Sequence, residues 1–308
     1  TAVRYGAGVV GDDLDSRGSA PLTNGRFMSR TQTYGTLAGE QTVALGEGRD
    51  LVASVGARYD DSNREGGEVS PLASLEFKQK EAPLRRLYAS YSEGTQLPTY
   101  QALNAAPVGL FGGDASLPRA TAANYEIGAD IGLDGWKFHT AVFCRQDDSL
   151  LDYVFSPSGV PNTNRRATAV DLDTVGFELF STRTWARVDL FVGSTYLHKD
   201  DNYTEVDVGS FYALNYAEHR LTLGGIARLG AGLELRADNE LRRQAENPLR
   251  RNGRDNVDTA VGLFYHVPGM KGLVLNVQVE NLWDTDYQDV PLVPHTPRTW
   301  SAGATYVW

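Results

Sequence analysis

The sequence predicts an all-β protein, namely an antiparallel up-and-down transmembrane β-barrel with about 14 strands. Three observations predict this fold class. Apolar and polar residues alternate over segments of about ten residues, tight and long connections alternate along the chain, and aromatic residues gather at the ends of the predicted strands. A soluble all-β protein is the alternative, because its strands alternate in the same way where one face is buried.

The closing segment "RTWSAGATYVW" shows the alternation most plainly. Trp300, Ala302, Ala304, Tyr306 and Trp308 fall on one parity, while mostly small or polar residues fall on the other. Successive residues of a strand point to opposite faces of its sheet. We therefore expect the aromatic parity to meet lipid, with Trp308 at the periplasmic interface.

Other segments divide just as clearly into an apolar and a polar parity. In "LVLNVQVENLW", Val277 belongs to the apolar parity and Gln278 to the polar one. A wet barrel lumen would accept charges on the polar parity. The lumen-facing charges predicted from "NYEIGADIGLD" and "LELRADNELR" are Glu126, Asp130, Glu234, Arg236, Asp238, Glu240 and Arg242.

The predicted strands are centred near residues 5, 38, 55, 74, 88, 127, 140, 176, 190, 223, 237, 262, 277 and 303. Six connections between them are short: 46–49, 78–83, 134–135, 182–184, 230–232 and 268–272. The other seven are interpreted as long, and they include about 10–30, 93–118, 147–168, 198–216, 243–256 and 284–298. Tight turns on one side and long loops on the other are typical of outer-membrane barrels. A soluble sandwich would mix its loop lengths.

Composition narrows the class of protein. The 308 residues carry a formal net charge of -10, which argues against a nucleic-acid partner. No apolar run reaches the roughly 18 residues of a transmembrane helix. Cys144 is the only cysteine, so no internal disulfide forms. No secretory signal stands at the start, so we expect that it has been removed or that the chain is a piece of something longer.

Residues 90–127 carry the first specific motifs. In "SYSEGTQLPTYQALN" a strand runs into a turn with Gly94 and Pro98, and "NYEIGADI" opens the next strand. This order resembles the TonB-dependent outer-membrane receptors, in which a Gly-aromatic-Arg-x-Pro-(Ser/Thr) turn precedes a Tyr-Glu-Leu-Gly-like strand. Thr95 and Gln96 replace the family's aromatic residue and Arg, so this turn departs from the pattern.

Three later segments extend the resemblance over nearly the whole chain. "VGFELFST" is similar to the family's Gly-x-Glu strand, with Gly176 and Glu178 matching. "GATYVW" resembles the closing strand that the barrel-assembly machinery reads, although Trp308 replaces the usual Phe. "VENLWDTDYQDV" resembles the penultimate-strand signature Asn-Leu-Phe-Asp-x-x-Tyr, and its matching residues are Asn281, Leu282, Asp284 and Tyr287.

The resemblance implies a larger architecture than the chain supplies. Receptors of this family close a barrel of about 22 strands around a plug. Nothing in the sequence looks like a plug or a TonB-contacting box, so residues 1–308 are interpreted as a single β-barrel segment from the C-terminal part of such a barrel. Taken alone, such a segment is expected not to transport. A complete 14-stranded porin-like barrel is the alternative, since about 14 is an allowed even count.

The resemblance also implies a location and a function. A bacterial outer-membrane receptor of this kind takes up a bulky, scarce nutrient, with an iron–siderophore or cobalamin as the first expectation. Its partners would be outer-membrane lipid and lipopolysaccharide, the barrel-assembly machinery, the small ligand, and TonB through an unseen plug. A passive channel and a soluble binding or adhesion protein remain the alternative functions.

The candidate ligand contacts lie in the long loops. Bulky chelates favour apolar and aromatic loop residues, and Arg side chains meet anionic ligands or lipopolysaccharide phosphates. The candidates are Tyr100, Leu110, Phe111, Arg165, Arg166, Arg251 and Arg254. The lumen charges have two possible roles, which are mutual pairing or contact with a plug, and the family favours plug contact.

Catalysis finds no support in the sequence. None of the five histidines has a Ser, Asp or Cys at a recognised catalytic spacing, and no Gly-x-Ser-x-Gly turn occurs. We therefore expect no enzyme activity, no cofactor and no metal site.

Overall fold

The computed structural model describes residues 1–15, 28–106, 111–155, 165–203 and 209–308. Nearly all regular structure in them is β-strand, and the one short helix is α1 (Tyr100–Asn104). Fourteen strands form the main path of one sheet: β1 (Ala2–Asp13), β2 (Ser29–Gly46), β3 (Arg49–Ser62), β4 (Glu68–Gln79), β5 (Leu84–Gln96), β7 (Ala120–Leu133), β8 (Trp136–Phe155), β9 (Arg165–Thr184), β10 (Val188–Asp201), β12 (Ala217–Gly230), β13 (Leu233–Gln244), β14 (Asp255–His266), β15 (Leu273–Glu280) and β16 (Thr299–Tyr306).

This strand order confirms the predicted meander. Each strand of the path is hydrogen-bonded to the strands before and after it, and every predicted centre lies inside one of the fourteen. Two further strands of two residues each, β6 (Phe111–Gly112) and β11 (Gly209–Ser210), lie off the path. β6 pairs in parallel with β9, and β11 pairs in antiparallel fashion with β8. Such short loop strands leave no periodic signal in the sequence.

One predicted connection is wrong in length. The seventh connection on the long-loop side joins β3 to β4 through residues 63–67 alone, so it is as short as a tight turn. Its compactness has a physical cause, since the Ser62 hydroxyl accepts from the N–H groups of Arg64 and Glu65 and closes the turn. The remaining alternation of long and short connections holds.

The tight turns are built from residues that tolerate left-handed backbone. Asp134 and Gly135 have φ of 49° and 83°, and Ala231 and Gly232 have φ of 50° and 82°. Positive φ at both central residues defines the type I′ hairpin turn, whose twist matches that of the flanking strands. The side of the sheet that carries these turns is called the tight-turn end, and the opposite side the long-loop end.

The register separates an apolar face from a polar one. Directly opposed residues of antiparallel neighbours share a face. Val277 lies between Leu263 and Ala302, whereas the next residue, Gln278, lies between a glycine and a serine of the same two neighbours. Both parities therefore continue across the strands as the sequence predicted.

The chain divides into two compact units. The first comprises Thr1–Gly128, Val142–Val175 and His198–Leu214. It contains a small core of Val170, Leu172 and Ala213 with Leu150, Tyr203 and Leu214 packed against it. The second unit comprises Ala129–Ala141, Gly176–Leu197 and Asn215–Trp308. Its buried side chains include Val279 and Tyr287.

All five tryptophans lie at or near strand ends, as predicted. Trp136 opens β8 and Trp185 follows β9, and their rings meet edge to face with centroids 5.9 Å apart. Trp283 follows β15, Trp300 lies near the start of β16, and Trp308 follows its end. Amphipathic indoles at strand ends form the aromatic girdles of membrane barrels.

Candidate functional site

A buried carboxylate organises the long-loop end of the first unit. Asp152 of β8 is 0% exposed, and it accepts hydrogen bonds from the hydroxyls of Tyr203 at 2.5 Å and Ser210 at 2.6 Å. The backbone N–H of Tyr212 adds a third bond at 3.0 Å. Burial and the Asp152 charge raise the pKa of the Tyr203 hydroxyl, so it remains a donor. Asp152 thereby holds two loop segments against β8.

Aromatic rings gather around an arginine in the same unit. The Arg165 guanidinium carbon lies 4.0 Å from the ring centroid of Phe211 and 4.9 Å from that of Phe111. Phe111 also meets Tyr153 edge to face, with centroids 5.5 Å apart. Phe211 is buried, but the neighbouring Tyr212 is 53% exposed. The cluster therefore pairs a rigid aromatic base with an exposed phenol.

The helix α1 is capped by Thr99 and is fixed to β1 through Tyr100. The Thr99 hydroxyl caps the helix by accepting from the Ala102 N–H at 3.2 Å. The Tyr100 hydroxyl donates to the carboxylate and the backbone carbonyl of Asp12, each at 2.8 Å. Burial and then the hydrogen bond to Asp12 raise the pKa of Tyr100 to about 12. The hydroxyl of Tyr100 is therefore engaged in holding α1.

In the second unit, Asn281 closes the loop that follows β15. Its amide nitrogen donates to the carbonyls of Thr285 at 3.0 Å and Thr296 at 3.1 Å, and its amide oxygen accepts from the N–H of Thr285 at 2.9 Å. Its backbone has φ of 46°, a left-handed conformation that Asn tolerates better than most residues. Asp284 extends the same loop by accepting from the Arg298 N–H at 2.8 Å. Leu282 donates its N–H to the Thr259 carbonyl at 2.9 Å.

Tyr287 anchors the far part of that loop. It is 4% exposed, and its ring lies tilted against that of His295, with centroids 3.9 Å apart. Burial raises the pKa of Tyr287 to about 12. The Arg242 guanidinium lies 5.4 Å from the ring and forms an ion pair with Asp289. A cavity of about 280 Å³ opens beside Arg242 and Asp289, with Arg220 also in its wall.

The charged row of β13 pairs largely within itself. Glu234 accepts from Arg236 at 2.6 Å, and Glu240 forms an ion pair with Arg242. Asp238 is exposed in the same row. The alternative in which these charges pair with one another is therefore observed for four of the five predicted residues.

The other two predicted lumen charges meet different partners. Glu126 accepts from the Tyr88 hydroxyl at 2.5 Å in the first unit. In the second unit, Asp130 lies 2.7 Å from the Nδ1 atom of His139, whose Nε2 atom lies 3.5 Å from Glu178. The His139 ring thus lies between the carboxylates of Asp130 and Glu178 on the polar parity. The sequence, in which His139 stands alone, did not indicate this position.

The structure brings only some predicted ligand contacts together. Phe111 and Arg165 are register partners, while Arg166 is exposed at the start of β9 and Arg251 is exposed in the loop after β13. The Arg254 guanidinium is engaged by Glu218 at 2.5 Å and by other loop acceptors. Leu110 lies outside the described residues.

The family-motif residues that remain are strand or turn positions. Gly94 lies in β5, Pro98 is buried in the turn before α1, and Gly176 lies in β9 beside Glu178. Trp308 is 99% exposed, and the preceding residue donates its N–H to the Gly272 carbonyl at 3.0 Å. These positions shape the strands rather than line a loop site.

Sequence reasoning missed the residues that hold the loops in place. Asp152 sits in the apolar run "LLDYVF", and an isolated acid among apolar residues was the available signal. Arg250 was passed over for its neighbour, yet it donates to the Asn215 amide oxygen at 2.5 Å and to the Gln288 carbonyl. Gln288 in turn accepts from the Leu292 N–H at 3.2 Å. Such partners are distant in sequence and show no spacing rule.

Among the described residues, no group of three or more His, Cys, Asp or Glu side chains is placed to hold a metal ion. Among the same residues, no helix has the length and apolar character needed to cross a membrane.

Comparison with protein families gives one match. Residues 3–282 match the family described as TonB dependent receptor-like, beta-barrel. No curated protein sequence matches the chain significantly.

Solved structures give a likeness in fold. The ferric enterobactin receptor of Pseudomonas aeruginosa superposes with a TM-score of 0.70 at 18% identity, covering 99% of this chain and 51% of that one. The siderophore receptor PirA of Acinetobacter baumannii gives 0.67 at 15% identity, with 99% and 52% covered. The FrpB iron transporter of Neisseria meningitidis gives 0.68 at 14% identity, with 99% and 52% covered. The chain thus spans about half the length of these structures.

Proposed function

The chain belongs to the TonB-dependent receptor β-barrel family, and we propose that it forms the C-terminal part of an outer-membrane receptor barrel. In this proposal the receptor takes up a bulky, scarce nutrient with energy delivered by TonB. A ferric siderophore is the ligand class we propose, because receptors and transporters of iron compounds are among the similar structures. The barrel itself performs no chemical step.

One observation carries the proposal beyond family membership. The sheet joins its strands by tight turns at one end and, apart from 63–67, by long loops at the other. The described loops are held by dedicated anchors, among them Asp152 and Asn281. In an outer-membrane barrel the long loops lie outside the cell, where they meet the ligand first. Rigid loops reduce the conformational entropy lost on binding.

Two exposed side chains of the first unit supply the proposed contacts. Tyr212 presents a phenol supported by buried Phe211, and Arg166 presents an exposed guanidinium at the start of β9. Aromatic and Arg side chains dominate binding sites because they combine apolar area with directed hydrogen bonds. An anionic chelate with aromatic groups would match both.

The polar face supports a second part of the proposal. Paired charges such as Glu234 and Arg236 keep the inward face hydrated without burying an unpaired charge. Such a face suits contact with a polar plug that fills the lumen. A passive channel would use the same face to line open water, so the two functions differ in their dependence on ligand and on TonB.

The test is uptake of radiolabelled iron as a ferric siderophore by cells that carry the complete receptor. We expect saturable uptake that stops when TonB is deleted. Unlabelled cobalamin should not compete with the ferric siderophore for this uptake. Replacing both residues, by Tyr212→Ala and Arg166→Gln, should weaken binding by roughly tenfold or more. Tyr306→Ala at the tight-turn end is the matched control and should leave binding unchanged.

The opposite result would be steady passage of small solutes that needs neither siderophore nor TonB. That result would contradict the receptor function and favour a passive channel. Equal effects of the loop variants and the Tyr306→Ala control would place the ligand elsewhere.

A further inference from the structure

One dipeptide in the connection between β13 and β14 is chemically reactive. Asn252 is followed directly by Gly253 in the basic segment "LRRNGRDN". In an Asn-Gly pair the backbone nitrogen of the glycine can attack the side-chain amide carbon of the asparagine, because glycine has no Cβ to hinder the approach. A second such pair, Asn24 and Gly25, lies outside the described residues.

The structure leaves the attacking nitrogen of Gly253 open. Gly253 is exposed, and beyond its two chain neighbours no atom lies within 4 Å of the position that a Cβ would occupy. Its N–H donates to no backbone carbonyl in the part of the chain that the structure describes. Asn256 of β14 is the opposite case, since it is 7% exposed and precedes the β-branched Val257. The fold therefore permits the attack at Asn252 and hinders it at Asn256.

The Asn252 side chain also ties two loops of the second unit together. Its amide nitrogen donates to the Asp286 carbonyl, in the loop after β15, at 3.1 Å. The Asn215 amide nitrogen supports the same loop by donating to the Asp289 carbonyl at 2.5 Å. The Asn252 bond must break before the side chain can turn towards Gly253. One exposed hydrogen bond slows such a step by no more than roughly tenfold.

We propose that Asn252 is a site of spontaneous deamidation in the folded protein. The Gly253 nitrogen forms a bond to the Asn252 side-chain carbon and gives up its proton. The carbon–nitrogen bond of the amide breaks, ammonia leaves, and a cyclic succinimide remains. Water then adds to either carbonyl of the ring and opens it to aspartate or isoaspartate. Water is the only co-reactant, and nothing is oxidised or reduced.

Both products alter the tie between the loops. The amide donor becomes a carboxylate, which cannot donate to the Asp286 carbonyl. The new negative charge also lies next to Asp286, which is itself acidic and exposed. Isoaspartate lengthens the backbone by a methylene group in addition. The modification therefore releases the loop after β15 from residue 252, and it does so whether or not the chain acts as a receptor.

The experiment incubates the purified full chain in detergent micelles at neutral and at alkaline pH. Peptide mass spectrometry follows the conversion of amide to acid at Asn252 and Asn256, and the chain unfolded in urea is the reference. Gly253→Ala adds a Cβ in open space, so it hinders the attack without disturbing the fold. Asn252→Asp supplies one product directly, and hydrogen exchange at residues 284–289 reports the loop. Arg251→Gln makes the same change of charge at the neighbouring residue and is the matched control.

We expect the acid at Asn252 and not at Asn256, with faster conversion at alkaline pH because the attacking nitrogen must lose its proton. The rate in the folded chain should lie within roughly tenfold of that in urea, and Gly253→Ala should slow it by roughly tenfold or more. Asn252→Asp should speed hydrogen exchange at residues 284–289, and Arg251→Gln should not.

An Asn252 that stays intact in the folded chain but deamidates in urea would overturn the site. Unchanged exchange in Asn252→Asp would overturn its effect on the loop. Both results leave the receptor function as it stands, because iron uptake tests that function separately.

Discussion

Two neighbouring residues of β15 should respond oppositely to the same substitution. Val277 is 51% exposed on the apolar face, and Gln278 is half-buried on the polar face. Introducing Arg at Val277 would place a cation in lipid, whereas Arg at Gln278 would point into a hydrated lumen. Since the two residues are adjacent, their positions along the strand are closely matched.

The expected magnitude follows from depth. Val277 lies four residues after the start of β15 at Leu273, which is about 14 Å along the strand and roughly 10 Å along the membrane normal at a tilt near 40°. This is close to the middle of an apolar band about 25 Å tall. Val277→Arg should therefore lower the free energy of unfolding by about 2–4 kcal/mol, which is a change of roughly 30- to 700-fold in the folding equilibrium. Gln278→Arg should lower the free energy of unfolding by less than about 1 kcal/mol, because this side chain lies on the polar face between Gly262 and Ser301.

The assay is urea-driven unfolding of each variant in phospholipid vesicles, followed by tryptophan fluorescence. The unaltered chain supplies the reference free energy of unfolding. A large loss for Val277→Arg with little change for Gln278→Arg is the expected pattern. Equal losses for the two variants would refute the assignment of faces, because a one-residue shift in register exchanges them.

Three further predictions concern the loop anchors. Asn281→Ala should lower the free energy of unfolding by about 2–3 kcal/mol, because three or more buried hydrogen bonds are lost. It should also shift the fluorescence emission of Trp283. The control Asp286→Ala, at an exposed loop position, should have neither effect. Asp152→Asn should lower the free energy of unfolding by about 1–3 kcal/mol and should speed limited proteolysis within residues 209–214; unchanged cleavage would show that the carboxylate does not hold this segment. The raised pKa of Tyr287 means that the unfolded chain releases this proton at lower pH than the folded one, so stability should fall as pH rises from about 10 to about 12; the fall should be smaller in Tyr287→Phe, and an identical pH profile would argue against its burial.

The strands could be predicted from the sequence because alternation is a local signal. The parity of Val277 and Gln278 needs only the residues on either side, and the tight turn at Asp134 and Gly135 carries its own backbone preference. The length of connection 63–67 could not be predicted from composition, since its polar residues suit a long loop equally well. Its hydroxyl-closed turn decides the length.

The candidate site was predicted less completely for a related reason. Phe111 and Arg165 were both named, but their contact depends on the short parallel pairing of β6 with β9. The hydroxyl groups that donate to Asp152 belong to Tyr203 and Ser210, which lie more than 50 residues further along the chain. Neither residue stands out in its own segment of the sequence. Anchors of this kind follow from tertiary packing, which a single sequence does not display.

The most direct test of the account is the accessibility of alternate residues along β13 in the membrane. Single cysteines are introduced by Leu235→Cys, Arg236→Cys, Ala237→Cys and Asp238→Cys in a Cys144→Ser background, which removes the only native thiol. The account predicts that the thiols at 236 and 238 react with a water-soluble reagent. Those at 235 and 237 should resist it, and a fluorophore attached there should be quenched by brominated lipid. Uniform reactivity along the strand, without quenching at any position, would contradict a two-faced sheet that spans the membrane.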